Sequence, residues 1–111
     1  MPRSPNDRLL DMVEASDAIS AYIAGYDAVS FASDSKTRDA VIRQFEIIGE
    51  AVKALPAELT IREPEIPWRQ IAGFRDVLAA HSYFAVDASV VWDAASRRIP
   101  ELRAACLRLL G

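Results

Sequence analysis

Residues 35–55 read SKTRDAVIRQFEIIGEAVKAL, and the predicted fold is built around this segment. Its apolar positions are separated by four, three, four and three residues: Val41, Phe45, Ile48, Val52 and Leu55. Because that spacing follows the turn of an α-helix, it predicts a long helix with one continuous apolar face for packing against other helices. Pro56 should end the helix, and Ser33 or Asp34 is suited to cap its start.

Three further helical stretches are predicted, and no stretch favours a strand. They run from about Asn6 to Ala24, from Trp68 to about His81, and from about Asp87 to Leu110. The segments YDAVSFASDS and PAELTIREPEIP are predicted as connectors. Pro100 should kink or split the last helical region, because proline lacks a backbone N–H. The sequence therefore predicts an all-α, up-and-down bundle of four or five helices.

The length of 111 residues fits a single domain, residues 1–111. No apolar run approaches the roughly 20 residues that span a bilayer, and the N-terminus lacks the apolar centre of a signal peptide. We therefore expect a cytoplasmic protein that does not enter a membrane. The single cysteine, Cys106, excludes an internal disulfide and a cysteine-based zinc site.

The formal net charge of −3 argues against broad binding of nucleic acid, so any RNA contact should be local. Four arginines lie near the C-terminus and form either a solvated helix face or such a local patch: Arg97, Arg98, Arg103 and Arg108. So short a bundle with several apolar faces should leave apolar surface uncovered. We expect a symmetric homodimer, with a compact monomer as the alternative.

The only histidine, His81, lies in FRDVLAAHSYFAVD, residues 74–87. A regular helix turns about 100° per residue, which returns His81 to within about 20° of Phe74 and leaves it about 120° from Arg75. That geometry favours a structural histidine in the core. Alternatively, histidine can serve as a base or acid near neutral pH, while arginine can stabilise charge on a phosphate. Asp76 could orient the arginine.

Such a pair would suit RNA cleavage without a metal. That reaction needs a base for the 2′-hydroxyl, an acid for the leaving 5′-oxygen and a cation for the phosphate. A symmetric dimer would supply two histidines for these two proton transfers. No competing metal or cofactor site is predicted. Glu46 and Glu50 lie one turn apart and Asp39 precedes Arg43 by four residues, but ion pairs explain these residues better than a metal does.

The chain resembles the HepT-like toxins, the HEPN half of HEPN/MNT toxin–antitoxin pairs. The resemblance runs through DAVIRQFEIIGEAVKALP, PEIPWRQIAGFRDVLAAHSYFAVD and VVWDAASRRIPELR. The family's signature is an arginine, commonly a polar residue after it, then a histidine and, two residues further on, a tyrosine. Here Arg75, Asp76, His81 and Tyr83 fill those places.

The resemblance implies a HEPN bundle and a homodimer in which both motifs lie near a shared cleft. It also implies a metal-independent ribonuclease acting on tRNA or other cellular RNA, with Arg75 and His81 catalytic. The implied partner is an MNT-type nucleotidyltransferase antitoxin that can attach AMP to Tyr83. A bulky anion at that position would block RNA by charge and volume.

The spacing departs from the family pattern by one residue. Five residues, DVLAA, separate Arg75 from His81, where the HepT-like group usually has four. A π-bulge within residues 76–81 could absorb the insertion, or the helix could end before His81. Two other functions remain open: a non-catalytic helical module that binds the nucleotidyltransferase, and a subunit that presents a nucleotide or small molecule to that enzyme.

Overall fold

The computed structural model describes the backbone of residues 3–80 and 87–111 and the side chains of residues 3–74 and 87–111. Regular structure in these ranges is helical throughout, with no strand, as the sequence predicts. The elements are α1 (Pro5–Tyr22), α2 (Ala28–Ala32), α3 (Ser35–Lys53), α4 (Ala57–Thr60), α5 (Trp68–Ala80), α6 (Ala88–Asp93), a π-helical segment (Ala94–Arg98) and α7 (Ile99–Leu110). None of the helices in the described ranges is long and apolar enough to cross a bilayer.

Helix α3 is the centre of the bundle, as its apolar spacing predicts. Its buried side chains include Val41, Phe45, Ile48 and Val52, while Leu55 packs at the edge of the core. Helix α1 packs against α3 and α7, and α5 packs against α3. The core is therefore assembled from the four longest helical regions of the chain, with α3 between α1 and α5.

A polar side-chain pair fixes the start of α1, and a glycine follows its end. Ser4 accepts a hydrogen bond from the backbone N–H of Asp7, and the Asp7 carboxylate accepts one from the N–H of Ser4. This reciprocal pair satisfies two N–H groups that a helix start leaves without partners. Gly25 follows the other end with φ of 82°, a left-handed conformation that glycine adopts without steric cost. The helix predicted to run to about Ala24 ends at Tyr22, shortly before this glycine.

Asp34 caps α3, as predicted, and also ties it to the chain that leaves α1. Its carboxylate accepts hydrogen bonds from the backbone N–H of Thr37 at 3.1 Å and from the Tyr26 hydroxyl at 2.5 Å. Together these bonds lower the pKa of Asp34 from 3.8 to about 2, and the bond from Tyr26 has the largest effect. The carboxylate therefore stays charged, and holds the cap, well into the acid range.

Both predicted connectors contain a short helix, a detail that the sequence prediction did not include. In the first connector α2 buries Phe31 completely, and its ring lies 5.3 Å from the ring of Trp92. In the second, α4 follows Pro56. A helix of four or five residues is too short to show periodicity, and contacts with distant elements supply its stability.

The last helical region changes its hydrogen-bonding pattern just before Pro100. In the π-helical segment the N–H of Ile99 donates to the carbonyl of Ala94, five residues back. Pro100 then stands in the first turn of α7, where its missing N–H costs least. The predicted irregularity is present, but it takes the form of a wide turn that ends before the proline.

Candidate active site

The start of α5 is anchored by Trp68. Its indole N–H donates to the carbonyls of Thr60 and Glu63, at 3.1 and 3.0 Å. Glu63 in turn holds Arg108 of α7 through a two-pronged ion pair whose shortest N–O distance is 2.7 Å. This bonding keeps the pKa of Glu63 below its usual value. The helix that carries the predicted motif is therefore tied at its N-terminus to the preceding linker and through it to α7.

Aromatic packing sets how α5 lies on α3. The ring of Phe74 meets the ring of Phe45 edge to face, with centroids 5.2 Å apart. Ile71, one turn earlier, also packs against the core. Both side chains therefore face inward, toward the core. Arg75 follows Phe74 directly, so the backbone position of the predicted catalytic arginine is fixed by a well-packed neighbour.

The predicted site residues are only partly within the described structure. The backbone positions of Arg75 and Asp76 lie in α5, but their side chains are outside the described residues, as are His81 and Tyr83. Helix α5 is α-helical through Ala80, so residues 76–80 contain no π-bulge. The remaining alternative, an end of the helix before His81, also falls outside the described residues. The convergence of Arg75 and His81 stays a prediction.

A π-helical turn occurs in the last helical region instead. Val91, Ala95 and Ile99 are separated by four residues each, and all three are buried. In a regular α-helix two successive steps of four would turn the third residue about 80° away from the first. The wider π turn absorbs that difference and keeps all three in the core. The same spacing occurs at Val41, Phe45 and Gly49 of the regular helix α3, all of them buried, so spacing alone does not locate the π turn.

A groove of about 380 Å³ lies between α5 and this part of the chain. Its floor is formed by Phe45 and Ile48 of α3. Its walls come from residues 65–74 on one side and from the π-helical segment and α7 on the other: Glu65, Ile66, Pro67, Gln70, Ile71, Phe74, Ala94, Arg98, Ile99, Glu101 and Leu102. The groove is apolar within and charged at its rim, and it remains partly open to solvent.

The four C-terminal arginines play different parts. Arg103 donates to Asp17 of α1 at 2.6 Å, and Arg108 is held by Glu63. These two stabilise contacts between elements. Arg97 and Arg98 have looser partners on their own helical region, Asp93 at 3.4 Å and Glu101 at 4.0 Å. The side chains of these last two are mostly exposed, so a solvated face and a local anion-binding patch both remain open for them.

Acidic residues and the cysteine have ordinary structural roles. Glu46 pairs with Arg43 at 3.3 Å, as predicted. No group of three or more possible metal ligands occurs in the part of the chain that the structure describes. Cys106 is fully buried, and this desolvation raises the pKa of its thiol to about 12. The thiol is therefore protonated at neutral pH and unsuited to act as a nucleophile.

Comparison with models of protein families shows to which family the chain is related. A family model described as "Ribonuclease HepT-like" matches residues 12–109, from within α1 to the end of α7. The chain belongs to this HepT-like family. The match spans the segment that contains Arg75, Asp76, His81 and Tyr83, and it confirms the resemblance to this family. No solved structure gives a significant match.

Three curated relatives of this HepT-like chain show how far the similarity extends. A Thermococcus cleftensis protein named "Probable ribonuclease HepT" is 44% identical over 103 residues, 93% of each chain. A Methanocaldococcus jannaschii protein provisionally named as an RNase is 38% identical over 95 residues, 86% of this chain and 78% of its own. A Caldanaerobacter subterraneus subsp. tengcongensis protein, also provisionally named as an RNase, is 35% identical over 100 residues, 90% and 88% of the two chains.

Proposed function

We propose that this HepT-like protein is a metal-independent endoribonuclease that cleaves tRNA or other cellular RNA. The family match over residues 12–109 carries the proposal, because it includes the whole arginine–histidine–tyrosine segment. The ribonuclease names of the relatives support it. We further propose that the protein is the toxin of a toxin–antitoxin pair and acts in the cytoplasm.

In the proposed reaction the RNA supplies its own nucleophile. A base removes the proton of a 2′-hydroxyl, the oxygen attacks the adjacent phosphorus, and the bond from phosphorus to the 5′-oxygen breaks. An acid protonates that leaving oxygen, which yields a 2′,3′-cyclic phosphate and a 5′-hydroxyl. His81 is the proton-transfer residue, Arg75 stabilises charge on the phosphate, and Asp76 supports Arg75. No metal or cofactor enters this chemistry.

A homodimer completes this proposal, since one chain offers one histidine for two proton transfers. Two copies of His81 at a shared cleft would serve as base and acid. The proposed partner is an MNT-type nucleotidyltransferase that attaches AMP to Tyr83. The phosphate of that adduct would occupy the neighbourhood of Arg75 and exclude the substrate phosphate by charge and volume.

The deciding experiment is cleavage of total tRNA by the purified protein in excess EDTA, beside His81→Ala. We expect cleavage by the unaltered protein alone, with products that carry cyclic phosphates. Arg75→Ala should also lose activity, because the transition state loses its cation. Arg69→Ala removes a charge from the same helix at an exposed position and serves as the matched control. Tyr83→Phe should keep most cleavage but resist modification by the nucleotidyltransferase.

The state of the protein must be established before activity is interpreted. Intact mass shows whether Tyr83 carries AMP, and light scattering shows whether the sample is dimeric. If a folded, unmodified dimer cleaves no RNA, the proposed activity is wrong. Binding of the nucleotidyltransferase by that inactive protein would then support the non-catalytic module, a function that the five-residue Arg75–His81 spacing favours.

The remaining alternative, presentation of a small molecule, requires a closed apolar pocket within one chain. The groove formed by the described residues is instead partly open to solvent and has Glu65, Arg98 and Glu101 among its lining residues. Such a groove does not meet that requirement.

A further inference from the structure

The groove beside α5 is lined both by Arg98 and by the residue that precedes the predicted motif. Arg98, the last residue of the π-helical segment, lines the same groove as Phe74. Phe74 directly precedes Arg75. An extended ligand that passes the motif can therefore continue along a surface that carries a second arginine.

The contacts of Arg98 leave its guanidinium available to an anion. Its carboxylate partner, Glu101, is 4.0 Å away, and its side chain is 65% exposed. Exposed ion pairs of this kind contribute little to stability. Arg103 and Arg108 are different, since each is held by a carboxylate of another element at 2.6–2.7 Å. A bound phosphate could replace Glu101 at Arg98 without breaking a contact that the fold depends on.

The π-helical segment explains why Arg98 lies at the groove. Its wide turn keeps Ala95 and Ile99 in the core on either side of Arg98. Ile99 also forms part of the groove wall, so its predecessor is placed at the rim. Arg97 comes from the same turn and has a similarly loose partner, but it does not line the groove. The two neighbouring arginines thus differ in position rather than in charge.

We propose that Arg98 binds a backbone phosphate of single-stranded RNA next to the phosphate that is cleaved. The inference rests on the proposed function and names the part of the protein surface along which the RNA strand lies. Arginine suits this contact because its planar donors match two phosphate oxygens. The apolar wall with Ile71 and Phe74 favours a single strand, whose unstacked bases can pack against such side chains, over a duplex.

Two carboxylates oppose this binding, so substitutions in the groove should change the affinity for RNA in opposite directions. Glu65 and Glu101 also line the groove. Glu101 competes directly for Arg98, and its charge repels phosphate. If RNA lies here, Glu101→Gln should tighten binding, whereas Arg98→Ala should weaken it. A purely structural role of the Arg98–Glu101 pair predicts no such opposition, because both changes would break the same contact.

The test uses the full chain with His81→Ala, so that binding is measured without cleavage. Fluorescence anisotropy follows a labelled single-stranded RNA of about 12 nucleotides over 50–300 mM NaCl. Loss of one phosphate contact should lower the slope of log Kd against log salt concentration by about 0.7. We expect that change for Arg98→Ala, little change for Arg97→Ala, and a slope close to that of the parent for Arg98→Lys. A duplex of the same sequence should bind more weakly than the single strand.

Equal slopes for Arg98→Ala and Arg97→Ala would overturn the inference, since the effect would then depend only on net charge. Weaker binding by Glu101→Gln would also overturn it, as would the absence of binding by the parent protein. Each result is independent of the EDTA cleavage assay. The Arg98 contact can therefore fail while the ribonuclease stands, and RNA can bind along the groove even if cleavage is absent.

Discussion

Replacement of Phe31 by alanine should test whether α2 is part of the core. The side chain is completely buried and packs its ring against Trp92. Removal of a buried phenylalanine costs about 3–5 kcal/mol, against a total of about 5–15 kcal/mol for a domain of this kind. At about 4 °C per kcal/mol for a chain of this size, the melting temperature should fall by about 12–20 °C. Urea unfolding followed by circular dichroism measures the free energy directly.

The same short helix provides the control. Val29 is 79% exposed, so Val29→Ala should change the free energy of unfolding by no more than about 0.5 kcal/mol. Alanine is a good helix former, so neither substitution removes helix propensity. The ring contact itself should appear as a coupling of about 0.5–1.5 kcal/mol between Phe31→Ala and Trp92→Ala. A loss below about 1 kcal/mol for Phe31→Ala would refute the docking of α2.

Other groups should respond in ways that follow from their surroundings. Cys106 should resist iodoacetamide at pH 8 in the folded protein and react after unfolding in urea, as measured by intact mass; equal rates would contradict its burial. Because folding lowers the pKa of Asp34, its stabilising effect is present above about pH 4 and is lost as the pH falls toward 2. The difference in unfolding free energy between the native protein and Asp34→Asn should shrink accordingly, and a constant difference would exclude the linkage. Glu63→Gln and Arg108→Gln should each speed amide exchange in residues 61–66, with no further increase when combined; additive increases would show that the pair does not act as a unit.

The sequence predicts much of the bundle because its long helices carry local signals. The spacing of apolar residues defines α3, Asp34 marks its start, and Gly25 marks the stop after α1. The short helix α2 has no comparable signal, since the burial of Phe31 depends on Trp92, 61 positions later. Local patterns predict elements that are long enough to repeat, whereas short elements depend on partners that sequence spacing does not identify.

The candidate site is predicted by the family resemblance and not by helical spacing. Arg75, His81 and Tyr83 stand out through the family resemblance, and the family match confirms that relationship. Helical spacing alone places Arg75 and His81 on different sides of a regular helix. The groove at Arg98 could not have been inferred from composition, because it depends on a π turn that brings one of two adjacent arginines to the rim.

The packing of α1 against α7 has a consequence for synthesis on the ribosome. Asp17 and Arg103 meet although 86 positions separate them along the chain. At about 5–20 residues per second, roughly 4–17 s pass between the synthesis of the two partners. During that interval the part of α1 that packs against α7 lacks its cover, and chaperones or premature association can act on it. A cell that makes this protein therefore has a window of several seconds in which the nascent chain is vulnerable before its bundle can close.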